Sequence, residues 1–227
     1  MGAFTTILEI FNSLDITGKI IVVLLTVISI YMWGLIAGRW RYLNVIERGN
    51  LRMFKRLKEF KAQFLRDYLQ LFRDFPDSSR LPLYRLYRVS CDFIFNNDTI
   101  SINDFPAAEK LIDAQLGEQV NELEQGLNYL SVTATIAPFL GLLGTVWGIM
   151  ISFRRMTTAG STTISTVAPG ISVALVTTVV GLIVAIPAAV AFYYFRTRIN
   201  KQIVLMENFS RELIVRMQKL AEQELKE

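Results

Sequence analysis

SVTATIAPFLGLLGTVWGIMISF, residues 131–153, and ISVALVTTVVGLIVAIPAAVAFYYF, residues 171–195, decide the fold of this chain. Neither segment holds an aspartate, glutamate, lysine, arginine or histidine. Each is longer than the roughly 20 apolar residues a helix needs to cross a bilayer. Their polar groups are mainly hydroxyls: Ser131, Thr133, Thr135, Thr145, Ser152, Ser172, Thr177 and Thr178. A hydroxyl-lined helix pair can solvate an ion or water but cannot itself carry a proton on a side chain. That gap points to a partner that supplies the acid.

A further apolar run, IIVVLLTVISIYMWGLIAG at residues 20–38, is also of spanning length. It is too long for the apolar region of a signal peptide, and no basic leader precedes it, so it reads as a retained helix. The expected fold is an all-α membrane protein with three transmembrane helices. The second and third extend as long helices into a cytoplasmic helical domain. The divisions are an external or interfacial segment (1–19), the first transmembrane helix (20–38), a cytoplasmic helical domain (39–130), the second transmembrane helix (131–153), an external loop (154–170), the third transmembrane helix (171–195) and a cytoplasmic C-terminal helix (196–227).

Orientation follows from the basic residues. Arg39, Arg41, Arg48, Arg52, Lys55, Arg56, Lys58 and Lys61 follow the first span, whereas only Lys19 precedes it. Positive-inside logic puts the N-terminus outside and these residues in the cytoplasm, as it does Arg196, Arg198 and Lys201. Arg154 and Arg155 run against the rule and snorkel to the outer interface. The net charge of +4 needs no nucleic acid to explain it. Its basic excess lies beside the membrane, where anionic lipid attracts it. The single cysteine, Cys91, permits no internal disulfide, and the absence of histidine removes imidazole catalysis and imidazole metal ligands. No catalytic residue, metal or cofactor is expected.

Residues 4–14 have helical apolar spacing and read either as an interfacial helix or as the start of the first span. Asn103, Asp104 and Pro106 mark a helix start. From there Leu116, Val120, Leu123, Leu127, Leu130, Ala134, Ala137, Gly141, Gly144 and Gly148 form one seam, expected to run unbroken into the membrane. Its small residues suit close helix packing, including packing between copies of the chain. A neighbouring line holds Ser131, Thr135, Thr145 and Ser152 and is expected to face something polar. On the third span Gly181 and Ala185 belong to a similar small-residue strip. Pro138 and Pro187 should bend their helices. The threonines have a plainer reading too, because a membrane-helix hydroxyl often returns to a carbonyl one turn back.

LGLLGTVWGIM (140–150) and VAPGISVALVTTVVGLIVAIPA (167–188) resemble the MotA/TolQ/ExbB ion-channel family, in its TolQ/ExbB branch. The resemblance implies a homo-oligomeric ring, thought to be a pentamer, in the bacterial inner membrane. It implies a smaller TolR/ExbD-like partner whose single span bears an aspartate, and a TonB- or TolA-like protein that receives the work. It places Thr145 and Thr178 opposite the partner's aspartate, with Thr177, Thr135, Ser131 and Ser152 also on the ion path. One departure stands out: where such chains read APGIAEAL this one reads APGISVAL, with Val173 at the glutamate position. The competing readings are a sodium-driven or divergent stator, a secondary transporter and a non-conducting scaffold.

Overall fold

The computed structural model describes residues 11, 14–72, 80–95, 104–158 and 164–224. Among them there is no strand. The helices are α1 (Ile16–Glu59), α2 (Pro82–Phe95), α3 (Phe105–Glu124), α4 (Leu127–Thr158) and α5 (Ile164–Glu224), with a short 3-10 helix at Leu65–Leu69. Asp15 caps α1 by accepting from the Gly18 N–H at 3.0 Å. Pro82 opens α2, where its missing N–H costs nothing.

Three helices, α1, α4 and α5, are long and apolar enough to cross a membrane. α1 has 44 residues and α5 has 61. At about 1.5 Å per residue they measure about 66 and 90 Å, against a hydrocarbon core of about 30 Å. Each is longer than a single span requires, and its apolar segment sits in its N-terminal half.

The chain divides into two compact units, one of Met1–Gly38 with Gly126–Tyr194, the other of Arg39–Gln125 with Phe195–Glu227. The first contains the three apolar segments. Its core is Ile21 and Leu25 of α1, Ala137 of α4, and Val184 and Ala185 of α5. Only 17%, 28% and 33% of the most apolar windows of α1, α4 and α5 is buried within the chain. Side chains such as Phe139, Val146 and Ile183 therefore need lipid or another apolar surface.

The second unit is a helical bundle with an aromatic centre. Phe72 meets Tyr87 edge-on at 4.9 Å and Phe209 at 6.3 Å, while Leu43, Met53, Leu86 and Leu213 are fully buried. Polar groups pin α1 to α5. Arg198 donates to both carboxylate oxygens of Glu47, at 2.8 and 2.6 Å, and to Asn44 at 2.6 Å. The buried Asn50 amide donates to Gln202 at 3.0 Å. Arg216 caps the end of α1 by donating to the carbonyls of Leu57 and Phe60.

Two sequence expectations change. The seam from Leu116 to Gly148 is not one unbroken helix. α3 ends at Glu124 and α4 begins at Leu127, with Gly126 at φ 81° between them. That left-handed conformation is open to glycine and strained for other residues, so Gly126 ends the helix. The helices also run further than expected into residues 154–170. α4 continues to Thr158, where Thr157 and Thr158 turn their hydroxyls back to the Arg154 carbonyl, both at 2.7 Å. α5 already includes Pro169 and Gly170. Pro169 is the sixth residue of α5, past the four N–H groups that lack partners at a helix start, so it removes one ladder bond from the first turns. Asn103 of the expected helix start and nearly all of residues 4–14 lie outside the described residues.

Candidate functional site

The site lies in the first unit, where α4 meets α5. The small residues of the two helices face each other. A Cβ added at Gly181 would stand 2.6 Å from the Ala137 carbonyl oxygen. One at Gly141 would stand 2.8 Å from the Thr177 carbonyl oxygen, and one at Gly148 would stand 2.6 Å from the Ala174 Cβ. At Gly144 it would strike the Thr177 side chain. The backbones are thus in direct contact, as small residues allow where lipid supplies no hydrophobic drive. Ala137 and Ala185 are buried in the same contact region, with Ala134 half-buried at its edge. The glycines of the strip therefore pack within one chain.

Close approach also buries hydroxyls. Thr177 is fully buried. Its hydroxyl lies 2.7 Å from the Ala174 carbonyl oxygen and 3.0 Å from that of Gly141 on the facing helix. One proton serves both acceptors, so Thr177 joins α5 to α4. Thr145, buried at 5% exposure, donates to the Leu142 carbonyl at 2.7 Å. Ser152, buried at 7%, donates to the Gly148 carbonyl at 2.8 Å. Thr135 is exposed and donates to the Ser131 carbonyl at 3.0 Å, and Ser131 itself is half-buried. The expected polar line is thus not one face, since Thr145 and Ser152 turn inward while Thr135 turns out.

Thr178 differs from the rest. Its hydroxyl oxygen is sealed from solvent and has no hydrogen-bond partner. Leaving a buried hydroxyl unpaired costs on the order of 1–3 kcal/mol. Pro138 and Pro187 lie inside α4 and α5, where each removes one ladder bond.

A cavity of about 30 Å³ adjoins this contact, lined by Asp15, Gly144, Ser152, Arg155, Val173 and Thr177 among others. It has room for about one or two water molecules. Asp15 was not legible as part of the site, because it belongs to the start of α1, far from Val173 in sequence. The one available signal was its position as the cap of an apolar helix.

The model of the MotA/TolQ/ExbB proton channel family matches residues 95–208. The chain belongs to that family. Among relatives, the Tol-Pal system protein TolQ of Haemophilus influenzae is 28% identical over 209 residues, covering 88% of each chain. The biopolymer transport protein ExbB of Neisseria meningitidis is 30% identical over 178 residues, covering 76% of this chain and 79% of that protein. The TolQ of Pseudomonas aeruginosa is 45% identical over 83 residues, a match that spans 37% of this chain and only 36% of that protein. These relatives place the chain in the TolQ/ExbB branch of the MotA/TolQ/ExbB family, among multi-pass inner-membrane proteins of energy-transducing systems. The family match includes every hydroxyl and small residue of the site, but not Asp15.

Proposed function

We propose that this chain is the ring-forming stator subunit, pentameric on the family pattern, of a proton-driven motor in the inner membrane. It works with a TolR/ExbD-like partner whose single span carries an aspartate, and passes mechanical work to a TonB- or TolA-like protein. The observation that carries this reading is the Thr178 hydroxyl, sealed from solvent and unpaired. Thr135, Thr145, Ser152 and Thr177 all have carbonyl partners. Thr178 has no acceptor within the chain, and a partner's carboxylate would take its hydroxyl proton most strongly once the side chains that seal it move aside. Neither α4 nor α5 brings an acidic group into its apolar segment, so the proton-carrying acid comes from the partner.

The N-terminus and the α4–α5 connection face outward, and the basic residues after Gly38 and Phe195 face the cytoplasm. In that orientation Asp15 and the cavity beside Val173 form the outer mouth of the path. Impermeant thiol labelling of Thr157→Cys and Asn200→Cys in a Cys91→Ser background tests the orientation. The first should label in intact spheroplasts and the second only after lysis, and the reverse pattern overturns it.

Reconstitution tests the mechanism. In liposomes the chain alone should dissipate a proton gradient slowly, and adding a single-span partner with a membrane aspartate should accelerate dissipation. Thr178→Val should abolish that acceleration while the complex still assembles. Fast dissipation by the chain alone would overturn the need for the partner's acid. Activity lost in sodium-free medium and regained with sodium would overturn the choice of ion.

A further inference from the structure

The second unit carries two grooves of opposite charge on opposite sides. Its helices pack in a closed order. Leu81, just before α2, covers Gly49 of α1. Arg85 of α2 pairs with Glu122 of α3. Ile112 of α3 and Ile214 of α5 line one cavity, and Gln202 of α5 returns to Asn50 of α1. In a four-membered circuit the α1/α2 groove and the α3/α5 groove are diagonal to each other.

The α1/α2 groove is a cavity of about 570 Å³ in which Arg41, Arg52 and Arg80 surround an apolar floor of Val45, Ile46 and Leu81. No carboxylate lines it, and among the described residues none pairs with these arginines. The α3/α5 groove, about 250 Å³, is lined by Glu109, Asp113, Glu207 and Arg211. Arg211 lies 3.8 Å from Glu207 in an exposed pair, while Glu109 and Asp113 have no cation among the described residues. Ser210 also lines this groove. It is 6% exposed, and its hydroxyl oxygen is sealed and unpartnered. Among the described residues no three acidic, cysteine or histidine side chains are placed to hold a metal ion. Spread carboxylates beside an idle hydroxyl acceptor instead suit a guanidinium group, which carries several donors in a fixed fork.

We propose that the two grooves are the halves of one head-to-tail contact between copies of this chain, the arginines of one copy's α1/α2 groove entering the acidic α3/α5 groove of the next. A contact between two different surfaces propagates around an axis and closes into a ring when the rotation permits. The depths match. α1 and α5 run side by side in the same direction, in register at Asn50 and Gln202. Arg52 lies about 3 Å beyond that level and Glu207 about 7.5 Å beyond it, at about 1.5 Å per residue. An arginine side chain spans the difference. The inference rests on the ring reading and names the surface that builds the ring.

The test uses the full chain in detergent, with native mass spectrometry as readout and circular dichroism as the folding control. Arg52→Glu with Arg80→Glu should lower the assembled fraction about tenfold or more, as should Asp113→Lys with Glu207→Lys. All four changes in one chain exchange the charges of the two grooves and should restore the wild-type assembly. A second measurement is cross-linking of a Cys91→Ser chain carrying Arg52→Cys and Asp113→Cys. Diagonal grooves cannot cross-link within a chain, so a ladder of multimers is expected. An intact ring in both double variants, failure of the fourfold exchange to rescue, or a cross-linking pattern without multimers overturns the contact while leaving the ring reading standing. A wild-type chain that stays monomeric overturns the ring reading itself, and the contact with it.

Discussion

Gly181 and Ala137 touch through their backbones: a methyl group on Gly181 would stand 2.6 Å from the Ala137 carbonyl oxygen. Backbone cannot yield as a flexible side chain does, so the helices must part to admit it. Gly181→Ala should destabilise the chain by about 1–3 kcal/mol, the usual cost of overpacking. The loss should appear in thermal melting of the detergent-solubilised single chain, because this contact lies within it. Gly144→Leu should act likewise, through Thr177. A Gly181→Ala melting temperature equal to wild type would mean that α4 and α5 lie further apart than described.

Adjacent threonines should separate fold from function. Thr177 bridges α4 and α5, so Thr177→Val removes a cross-helix hydrogen bond and should cost about 1 kcal/mol of stability. Thr178 has no partner in the chain. Thr178→Val should leave melting unchanged or raise it slightly, yet abolish partner-dependent proton flow. Melting curves and flux measured on both variants give the comparison. Equal loss of stability in the two would show that the Thr178 hydroxyl has a bond within the chain.

Cys91 is 4% exposed, and burial pushes its thiol up to about 12. Burial also raises Tyr87, whose hydroxyl donates to the Tyr68 carbonyl. Both folded-state values lie above the unfolded ones, so the sign is clear. The thiol's contribution is full below about pH 8.5, the unfolded value, and is lost as pH rises through about 12. Alkaline melting should therefore fall less steeply in Cys91→Ala than in wild type. A maleimide should label Cys91 slowly in the folded chain and quickly after denaturation. Rapid native labelling would contradict the burial.

Sequence pattern exposes what is local. The apolar runs and the small residues at helical spacing were legible because each is a property of one helix. What the strip packs against was not, because a third span, lipid or a second copy accepts a Gly/Ala face equally well. Gly126 was hidden for a related reason: a lone glycine inside a periodic run costs a helix only about 1 kcal/mol, so the pattern alone did not call for a break. The Arg198–Glu47 pair and the Asp15 cavity join residues far apart in the chain, and neither leaves a periodic trace. The hydroxyls could be listed from sequence, but which of them finds a carbonyl depends on how each helix is turned.

Val173 and Asp15 supply the last prediction. Both line the cavity of about 30 Å³, with Arg155 and Ser152. A glutamate at Val173 would bring a second carboxylate into a space with little room for water to solvate it. Asp15 cannot simply withdraw, because its Oδ1 caps α1 through the Gly18 N–H. Arg155 offers one positive charge to two negative ones. Val173→Glu should therefore cost about 1–3 kcal/mol, the range for an imperfectly compensated buried polar group. Asp15→Asn is a mild change by itself, since asparagine caps a helix as well as aspartate does. In the double variant Val173→Glu with Asp15→Asn, the new carboxylate keeps Arg155 to itself, and most of the lost stability should return. Melting temperatures of the four chains form a double-mutant cycle whose coupling term isolates the repulsion. Strictly additive effects would mean that the two side chains do not share this cavity, and Asp15 would then drop out of the outer mouth of the path.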